Sequence, residues 1–154
     1  MNHADLVKAA AKWLTNRHPV VITEMASGAT EEPDALGFQG TFTTLVECKA
    51  SRADYQADKH KPAVRMGDWR YYLTPAGLIE VEEVRPGWGL LYADGRGVHE
   101  VLKAPQTDRK NWRGESLLLT SCLRRIGQTA PQGVSVRCYT YETKSRATLT
   151  VEAP

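Results

Sequence analysis

The chain has 154 residues, of which 42% are hydrophobic and 25% are charged, and its formal net charge is +2. This length and composition predict one globular domain spanning residues 1–154. No apolar run approaches the about twenty residues that cross a bilayer, and the polar N-terminus does not resemble a secretory signal. Three widely spaced cysteines form no CxxC pair, which argues against a zinc site and favours reduced thiols in the cytoplasm.

Positive charge is concentrated towards the C-terminus. Residues 103–146 hold nine Lys and Arg residues against three Asp and Glu residues, whereas residues 1–102 hold eleven against fourteen. Such a basic segment is typical of proteins that bind a polyanion, and a solvated basic surface is the alternative interpretation. We expect residues 106–154 to form a basic C-terminal extension packed on the domain.

The first predicted element is a helix over Ala4–Arg17, where alanine is frequent and the apolar residues recur at helical spacing. Three strands follow, at His18–Met25, Asp34–Gly40 and Thr41–Ala50, and the third has clear β propensity. A helix followed by three strands predicts a mixed α/β sheet.

A second, short helix is predicted after the third strand. Ser51 and Asp54 have the spacing of a capping box, and Pro62 ends or kinks the helix. A further strand lies within Asp68–Ile79.

The remaining elements are two hairpins that flank a helix. The first hairpin turns at Asp94-Gly95, and Asp108 is the predicted N-cap of the helix. The second hairpin turns near Lys144. The predicted ranges are 87–105 for the first hairpin, 108–127 for the helix and 134–153 for the last hairpin.

The candidate site lies on the second and third strands. Because strand side chains alternate between faces, Glu47 and Lys49 share one face, about 7 Å apart along the strand. If the two strands form a hairpin through Gly40, Asp34 lies close to Glu47. Two carboxylates so placed can hold Mg²⁺, which prefers oxygen ligands and keeps several waters. The alternative is an exposed Glu47–Lys49 ion pair, worth less than about 1 kcal/mol.

This arrangement suits phosphodiester hydrolysis. A divalent ion polarises the phosphate and lowers the pKa of a bound water. The backbone carbonyl of Cys48 is a candidate further ligand. Lys49 would position or activate the attacking water and offset the charge of the phosphate.

The pattern Pro33-Asp34, followed on the next strand by Glu47-Cys48-Lys49, resembles the signature of the PD-(D/E)XK nuclease superfamily. The predicted element order also resembles its αβββαβ core. The resemblance implies an α/β, restriction-endonuclease-like fold, here with an added C-terminal hairpin, helix and hairpin. It also implies that Asp34 and Glu47 bind Mg²⁺ or Mn²⁺ and that Lys49 is catalytic.

Residues 20–105 resemble the MmcB-like DNA repair endonucleases more closely. That resemblance implies a metal-dependent endonuclease that acts on DNA in repair or processing. The matching residues are Glu47, Lys49, Ser51, Asp54, Tyr55, Asp58, Lys59, Asp68, Tyr71, Tyr72, Gly89, Leu90, Ala93, Asp94 and Gly97.

One feature departs from the superfamily pattern. Many members carry a glutamate near the metal on the first helix, whereas the only acid of the first predicted helix is Asp5. Glu24, at the end of the first strand, is the candidate substitute ligand. The departure motivates a second hypothesis, a non-catalytic nucleic-acid-binding protein on the same fold. The terminal hairpin motivates a third, a protein-interaction module whose edge pairs with another strand.

Candidate DNA contacts lie on the second helix and the last hairpin. In the superfamily, a polar or basic residue of this helix often approaches the phosphate, and the last hairpin interleaves basic and aromatic residues. An amphipathic edge hairpin explains the latter pattern equally well. The candidates are Arg52, Tyr55, Gln56, Lys59, Arg137 and Lys144. Dimers are common where branched DNA is cut symmetrically, and the sequence leaves both a monomer and a homodimer open. The four histidines have no partners at zinc or triad spacing, so we assign them no chemistry.

Overall fold

The structure is a computed structural model that describes residues 1–58, residues 64–126 and the backbone of residues 137–138. The elements in chain order are α1 (His3–Thr15), β1 (Val20–Thr23), β2 (Ala35–Gln39), β3 (Phe42–Cys48), α2 (Arg52–Asp58), β4 (Trp69–Pro75), a 3₁₀ turn (Val81–Glu83), β5 (Gly89–Asp94), β6 (Gly97–Leu102), α3 (Trp112–Ile126) and β7 (Arg137–Cys138). The α/β class is confirmed, and from α1 to β4 the elements follow the predicted order.

All strands of the described chain belong to one sheet, in the order β6-β5-β4-β3-β2-β1-β7. Strands β1, β2 and β3 form an antiparallel meander. Strand β4 runs parallel to both β3 and β5, and β6 returns antiparallel to β5. Helix α2 lies between β3 and β4 in the chain, as the parallel pairing of these strands requires a crossover.

Helix α1 covers one face of the sheet. It begins at His3 because Asn2 caps it. The Asn2 side chain accepts a hydrogen bond from the backbone N–H of Asp5, and the Asp5 carboxylate accepts one from the backbone N–H of Asn2. The apolar face predicted for this helix is confirmed as buried, and it comprises Leu6, Ala10, Trp13 and Leu14. It packs in a core that includes Val46, Cys48 and Tyr71.

The opposite face of the sheet carries a second core. Its residues come from the sheet, from α2 and from α3, and the largest contributions include Leu36, Leu45, Tyr55, Tyr72, Trp88 and Leu118. Strand β3 therefore contributes Leu45 to this core and Val46 to the α1 side, as strand alternation predicts. This alternation also places Glu47 on the α2 side.

The predicted start of α3 is wrong. The helix begins at Trp112, and the side chain of Asn111 accepts a hydrogen bond from the backbone N–H of Gly114 at 3.0 Å. The backbone N–H groups of Thr107 and Asn111 donate to carbonyls of the segment ahead of β4. These bonds hold residues 107–111 outside the helix, so Asn111 rather than Asp108 has the N-cap position.

The hairpin of β5 and β6 is confirmed at its predicted turn. The Asp94 carboxylate accepts hydrogen bonds from the backbone N–H groups of Arg96 and Gly97. Of the predicted last hairpin, only β7 lies within the described residues, where it pairs antiparallel with β1. The predicted turn near Lys144 and the predicted helix end at Pro62 lie outside them. None of the helices among the described residues is long and apolar enough to cross a lipid bilayer.

Candidate active site

The β2–β3 hairpin brings Asp34 to the end of β3. The strands pair in register through a turn in which Gly40 has a φ of 60°. Ala35 lies opposite Val46, so Asp34 comes one residue beyond the last pair. Its Oδ2 atom accepts a hydrogen bond of 2.7 Å from the backbone N–H of Cys48. The hairpin is as predicted, and it fixes one carboxylate next to the Glu47-Cys48-Lys49 segment.

Glu47 and Lys49 form a buried ion pair. The Lys49 Nζ atom lies 3.3 Å from the Glu47 Oε2 atom, and the two side chains are 4% and 2% exposed respectively. The alternative interpretation of an exposed surface pair is therefore wrong. Taking both charges out of water is costly, and a buried pair of this kind requires further polar partners.

Helix α2 supplies further partners for Lys49. Its Nζ atom lies 3.2 Å from the Asp58 Oδ1 atom and 4.0 Å from the Asp54 Oδ1 atom. Asp58 is fully buried, and its Oδ2 atom accepts a hydrogen bond of 2.8 Å from the Tyr72 hydroxyl. Asp54 and Asp58 are four residues apart, which places both on one face of a helix. That spacing is the signal in the sequence that could have assigned Asp58 to the site.

The pKa of Lys49 is raised above its usual value. Burial by itself lowers this pKa, but the nearby carboxylates, led by Glu47 and Asp58, outweigh burial. Lys49 is therefore protonated at neutral pH and acts as a cation.

Arg65 joins the same buried cluster from the loop ahead of β4. Its Nη2 atom lies 2.7 Å from the Glu47 Oε1 atom, and its Nε atom lies 2.6 Å from the Glu31 Oε1 atom. The Nη1 atom is 3.6 Å from the Asp58 Oδ1 atom. Sequence reasoning missed both Arg65 and Glu31 because loop residues that are far apart in the chain give no periodic signal.

A histidine meets the carboxylates on the α1 side of the site. The His3 Nε2 atom lies 3.5 Å from the Glu24 Oε1 atom and 3.5 Å from the Asp34 Oδ1 atom. Glu24 has a φ of 45°, and its backbone N–H donates to the Asp34 carbonyl. We assigned no chemistry to the histidines, and of those that the structure describes, His3 is the one beside the predicted ligands.

The pKa of the Cys48 thiol reflects the negative charge in this region. Burial raises its pKa well above the usual value, and the carboxylates of Asp34, Glu47 and Glu24 raise it further. The thiol is therefore protonated at neutral pH and is not a nucleophile. The same carboxylates create the negative potential that a divalent cation would meet.

The donor chemistry of these side chains fits Mg²⁺ or Mn²⁺. The carboxylate oxygens of Asp34, Glu47 and Glu24 are the hard ligands that these ions prefer, whereas the imidazole of His3 suits Zn²⁺, Cu²⁺ or Fe²⁺ better. Within the described residues, no group of three or more His, Cys, Asp or Glu side chains is already arranged to hold an ion. Mg²⁺ is commonly held through one or two carboxylates and several waters, so a complete protein cage is not required. The carboxylates therefore fit Mg²⁺ or Mn²⁺ in their donor type and in their position in the fold.

Charged side chains of both signs meet in the buried cluster. Three carboxylates, those of Glu31, Glu47 and Asp58, face the two cations Lys49 and Arg65. Asp34, Glu24 and Asp54 add negative charge at the more exposed rim. A cation added at this rim would lie beside the carboxylates of Asp34, Glu24 and Asp54.

The residues predicted to contact DNA have different environments. Arg52 is exposed, pairs with Glu83 and donates to the Leu78 carbonyl at 2.8 Å. Gln56 is exposed on α2. Tyr55 is fully buried and its hydroxyl donates to the Glu83 carbonyl at 2.6 Å, so its placement favours a core role over substrate contact.

The remaining predicted DNA contacts, Arg137, Lys59 and Lys144, lie at or beyond the limits of the described residues. Arg137 is described only through its backbone, in the two-residue strand β7 at the edge of the sheet. Lys59 and Lys144 lie outside the described residues, and their roles remain predictions.

Comparisons with known proteins bear on the fold alone. No protein-family model matches the chain. No curated protein matches it. Among solved structures, it is similar to a protein of unknown function from Silicibacter pomeroyi, with a TM-score of 0.64 and 22% sequence identity. The match covers 86% of this chain and 98% of that chain, which shows that the two share a fold.

Proposed function

We propose that this protein is a Mg²⁺- or Mn²⁺-dependent endonuclease that hydrolyses phosphodiester bonds of DNA, in repair or processing, on a restriction-endonuclease-like fold. The observation that carries the proposal is the carboxylate of Asp34, hydrogen-bonded to the N–H of Cys48 beside the buried Glu47–Lys49 pair. These are the residues through which the sequence resembles the PD-(D/E)XK and MmcB-like nucleases.

The carboxylates would hold the metal ion. Asp34 and Glu47 are the principal candidates, with Glu24 and the backbone carbonyl of Cys48 as further ones. His3 contacts Glu24 and Asp34 at 3.5 Å and would orient these two carboxylates. When bound, the ion would supply Lewis-acid polarisation of the phosphate.

Lys49 would stabilise the charge that develops on the phosphate oxygens. Its ammonium group is held in place by Glu47 and Asp58. In the metal-free protein the nearby carboxylates raise the pKa of Lys49, so its ammonium group is a hydrogen-bond donor.

DNA would approach over the exposed surface of α2. Arg52 and Gln56 are exposed there, and Arg52 would exchange its contact with Glu83 for a phosphate. Lys59, Arg137 and Lys144 would extend the contact along the backbone of the DNA. A homodimer and a cytoplasmic location complete the proposal.

Cleavage assays with duplex, branched and single-stranded DNA test this function. We expect cleavage with Mg²⁺ or Mn²⁺, none with EDTA, and a loss of at least about 100-fold in the Asp34→Ala and Lys49→Ala variants. Asp94→Asn, in the exposed turn between β5 and β6, is the matched control and should leave the rate unchanged. Full activity in Asp34→Ala, or no cleavage of any substrate by the wild-type protein, would reject the proposal.

One observation favours a second candidate, a non-catalytic DNA-binding protein on the same fold. The Oε1 atom of Glu47 is engaged by Arg65 at 2.7 Å, so part of the charge on this carboxylate is already balanced by the protein. Salt-dependent DNA binding without metal-dependent turnover would identify this function.

A further inference from the structure

Arg65 holds Glu47 from the side opposite Lys49. The guanidinium group donates to the Glu47 Oε1 atom at 2.7 Å, while the Oε2 atom of the same carboxylate faces Lys49 at 3.3 Å. The two oxygens of Glu47 thus have different cationic neighbours, and this fixes the plane of the carboxylate. A planar guanidinium sets orientation in a way that an ammonium group cannot.

Arg65 is itself anchored by Glu31, from the loop between β1 and β2. The Arg65 Nε atom donates to the Glu31 Oε1 atom at 2.6 Å, and the N–H of Met66 donates to its Oε2 atom at 2.9 Å. The carbonyl of Arg65 accepts hydrogen bonds of 2.9 Å from the Arg70 side chain and from the N–H of Asn111. Both the side chain and the backbone carbonyl of Arg65 are therefore held in place by the protein alone.

The same guanidinium reaches the second partner of Lys49. The Arg65 Nη1 atom lies 3.6 Å from the Asp58 Oδ1 atom, which is also 3.2 Å from the Lys49 ammonium. Arg65 is thus in contact with Glu47 and Asp58, the two buried carboxylates nearest to Lys49. The side chain of Arg65 is 4% exposed, so these contacts are sheltered from solvent and from screening by salt.

We propose that Arg65, anchored by Glu31, is a positioning residue that fixes Glu47 for metal binding and Lys49 for its contact with substrate. This inference rests on the proposed nuclease function and deepens it. Partners of metal ligands typically change metal affinity or activity by about 10–100-fold when they are removed. Arg65 would act through Glu47 and would touch neither the metal nor the DNA.

The test compares Arg65→Lys and Glu31→Gln with the wild-type protein. Arg65→Lys keeps the charge but loses the planar fork, and Glu31→Gln keeps the shape but loses the charge that anchors Arg65. We expect Mn²⁺ binding, measured by titration calorimetry without DNA, to weaken by about 10–100-fold in both variants. In cleavage assays at saturating Mn²⁺, kcat should fall while the KM for DNA stays unchanged.

Lys110→Met is the matched control for the loss of a partly buried, ion-paired charge. Lys110 pairs with Asp68 at 2.6 Å and with Glu115 at 3.2 Å, in contact with the first residues of β3 and away from Glu47. This variant should unfold at a lower temperature and keep the Mn²⁺ affinity of the wild-type protein. All variants are to be compared at a temperature at which each one is folded.

The outcomes separate the inference from the proposed function. Wild-type Mn²⁺ affinity and kcat in both Arg65→Lys and Glu31→Gln would overturn the positioning role, because a merely structural arginine changes only the unfolding temperature. If the wild-type protein binds Mn²⁺ but cleaves no DNA, and the variants bind it more weakly, the nuclease function fails and the positioning of Glu47 stands. If the wild-type protein binds no Mn²⁺, both proposals are rejected.

Discussion

At the scale of single residues, the buried charges of the candidate site are each shared among several groups. Lys49 is charged in the core because four carboxylates raise its pKa. Arg65 is likewise held by Glu31, Glu47 and Asp58. A buried ion that loses its only partner destabilises a protein by several kcal/mol, whereas a shared ion keeps part of its compensation. The candidate site is therefore also a structural element of the core.

His18 shows the opposite behaviour, since it is buried without an acidic partner among its hydrogen bonds. Its ring contacts the Leu14 carbonyl at 3.3 Å and the Thr44 hydroxyl at 3.0 Å. Burial lowers its pKa below the usual 6.5, the bond to Leu14 raises it in part, and Arg17 lowers it further. The folded protein therefore contains the neutral imidazole at neutral pH.

This lowered pKa predicts a dependence of stability on pH. Between the folded and unfolded pKa values the unfolded chain binds more protons at His18, so its contribution is complete above pH 6.5 and declines as the pH falls below it. Urea unfolding of the wild-type protein and of His18→Gln from pH 8 to pH 5 measures the effect. We expect the stability difference between the two proteins to shrink as the pH falls. A constant difference over that range would contradict the prediction.

At the scale of elements, caps and turns decide where the helices and hairpins begin. Helix α3 begins after Asn111, whose side chain accepts from the N–H of Gly114, and not after Asp108. Both residue types are good N-caps, so local propensity could not choose between them. The choice follows from long-range hydrogen bonds, which tie residues 107–111 to the segment ahead of β4.

The two candidate caps give a direct test. Asn111→Ala should lower the free energy of unfolding by about 1 kcal/mol, because one backbone donor of α3 loses its acceptor. Asp108→Ala, four residues from the start of the helix, should change it by less than about 0.5 kcal/mol. Denaturant unfolding monitored by circular dichroism measures both changes. An equal loss in the two variants would show that the helix begins earlier in solution.

The contrast between local propensity and long-range contacts also explains how much of the candidate site the sequence could predict. Glu47 and Lys49 share a face because strand side chains alternate, and Asp34 joins them because one short hairpin follows from Gly40. These local rules correctly predicted the shared face of Glu47 and Lys49 and the hairpin that brings Asp34 to them. Arg65, Glu31 and His3 reach the site from two loops and from the first turn of α1, and no local pattern encodes such contacts. The contacts that these three residues make with the predicted site residues could therefore be found only from the structure.

At the scale of the whole molecule, one sheet separates two apolar cores. Helix α1 packs on one side, in the core that contains Cys48, and α3 packs on the other, in the core that contains Cys122. The two thiols are 1% and 4% exposed respectively, and neither forms a disulfide. Because the strands between the cores are shared, opening one core exposes residues that support the other.

These two thiols report whether the cores unfold together. In a Cys138→Ser background, we expect neither Cys48 nor Cys122 to react with a thiol reagent such as DTNB in the native protein, and both to react at the same rate in increasing urea. That common rate should follow the global unfolding transition, since the shared sheet couples the two faces. Mass spectrometry of the labelled peptides distinguishes the two sites. Faster labelling of Cys122 at low urea would show that α3 detaches as a separate unit while the hairpin of β2 and β3, and with it the candidate site, stays folded.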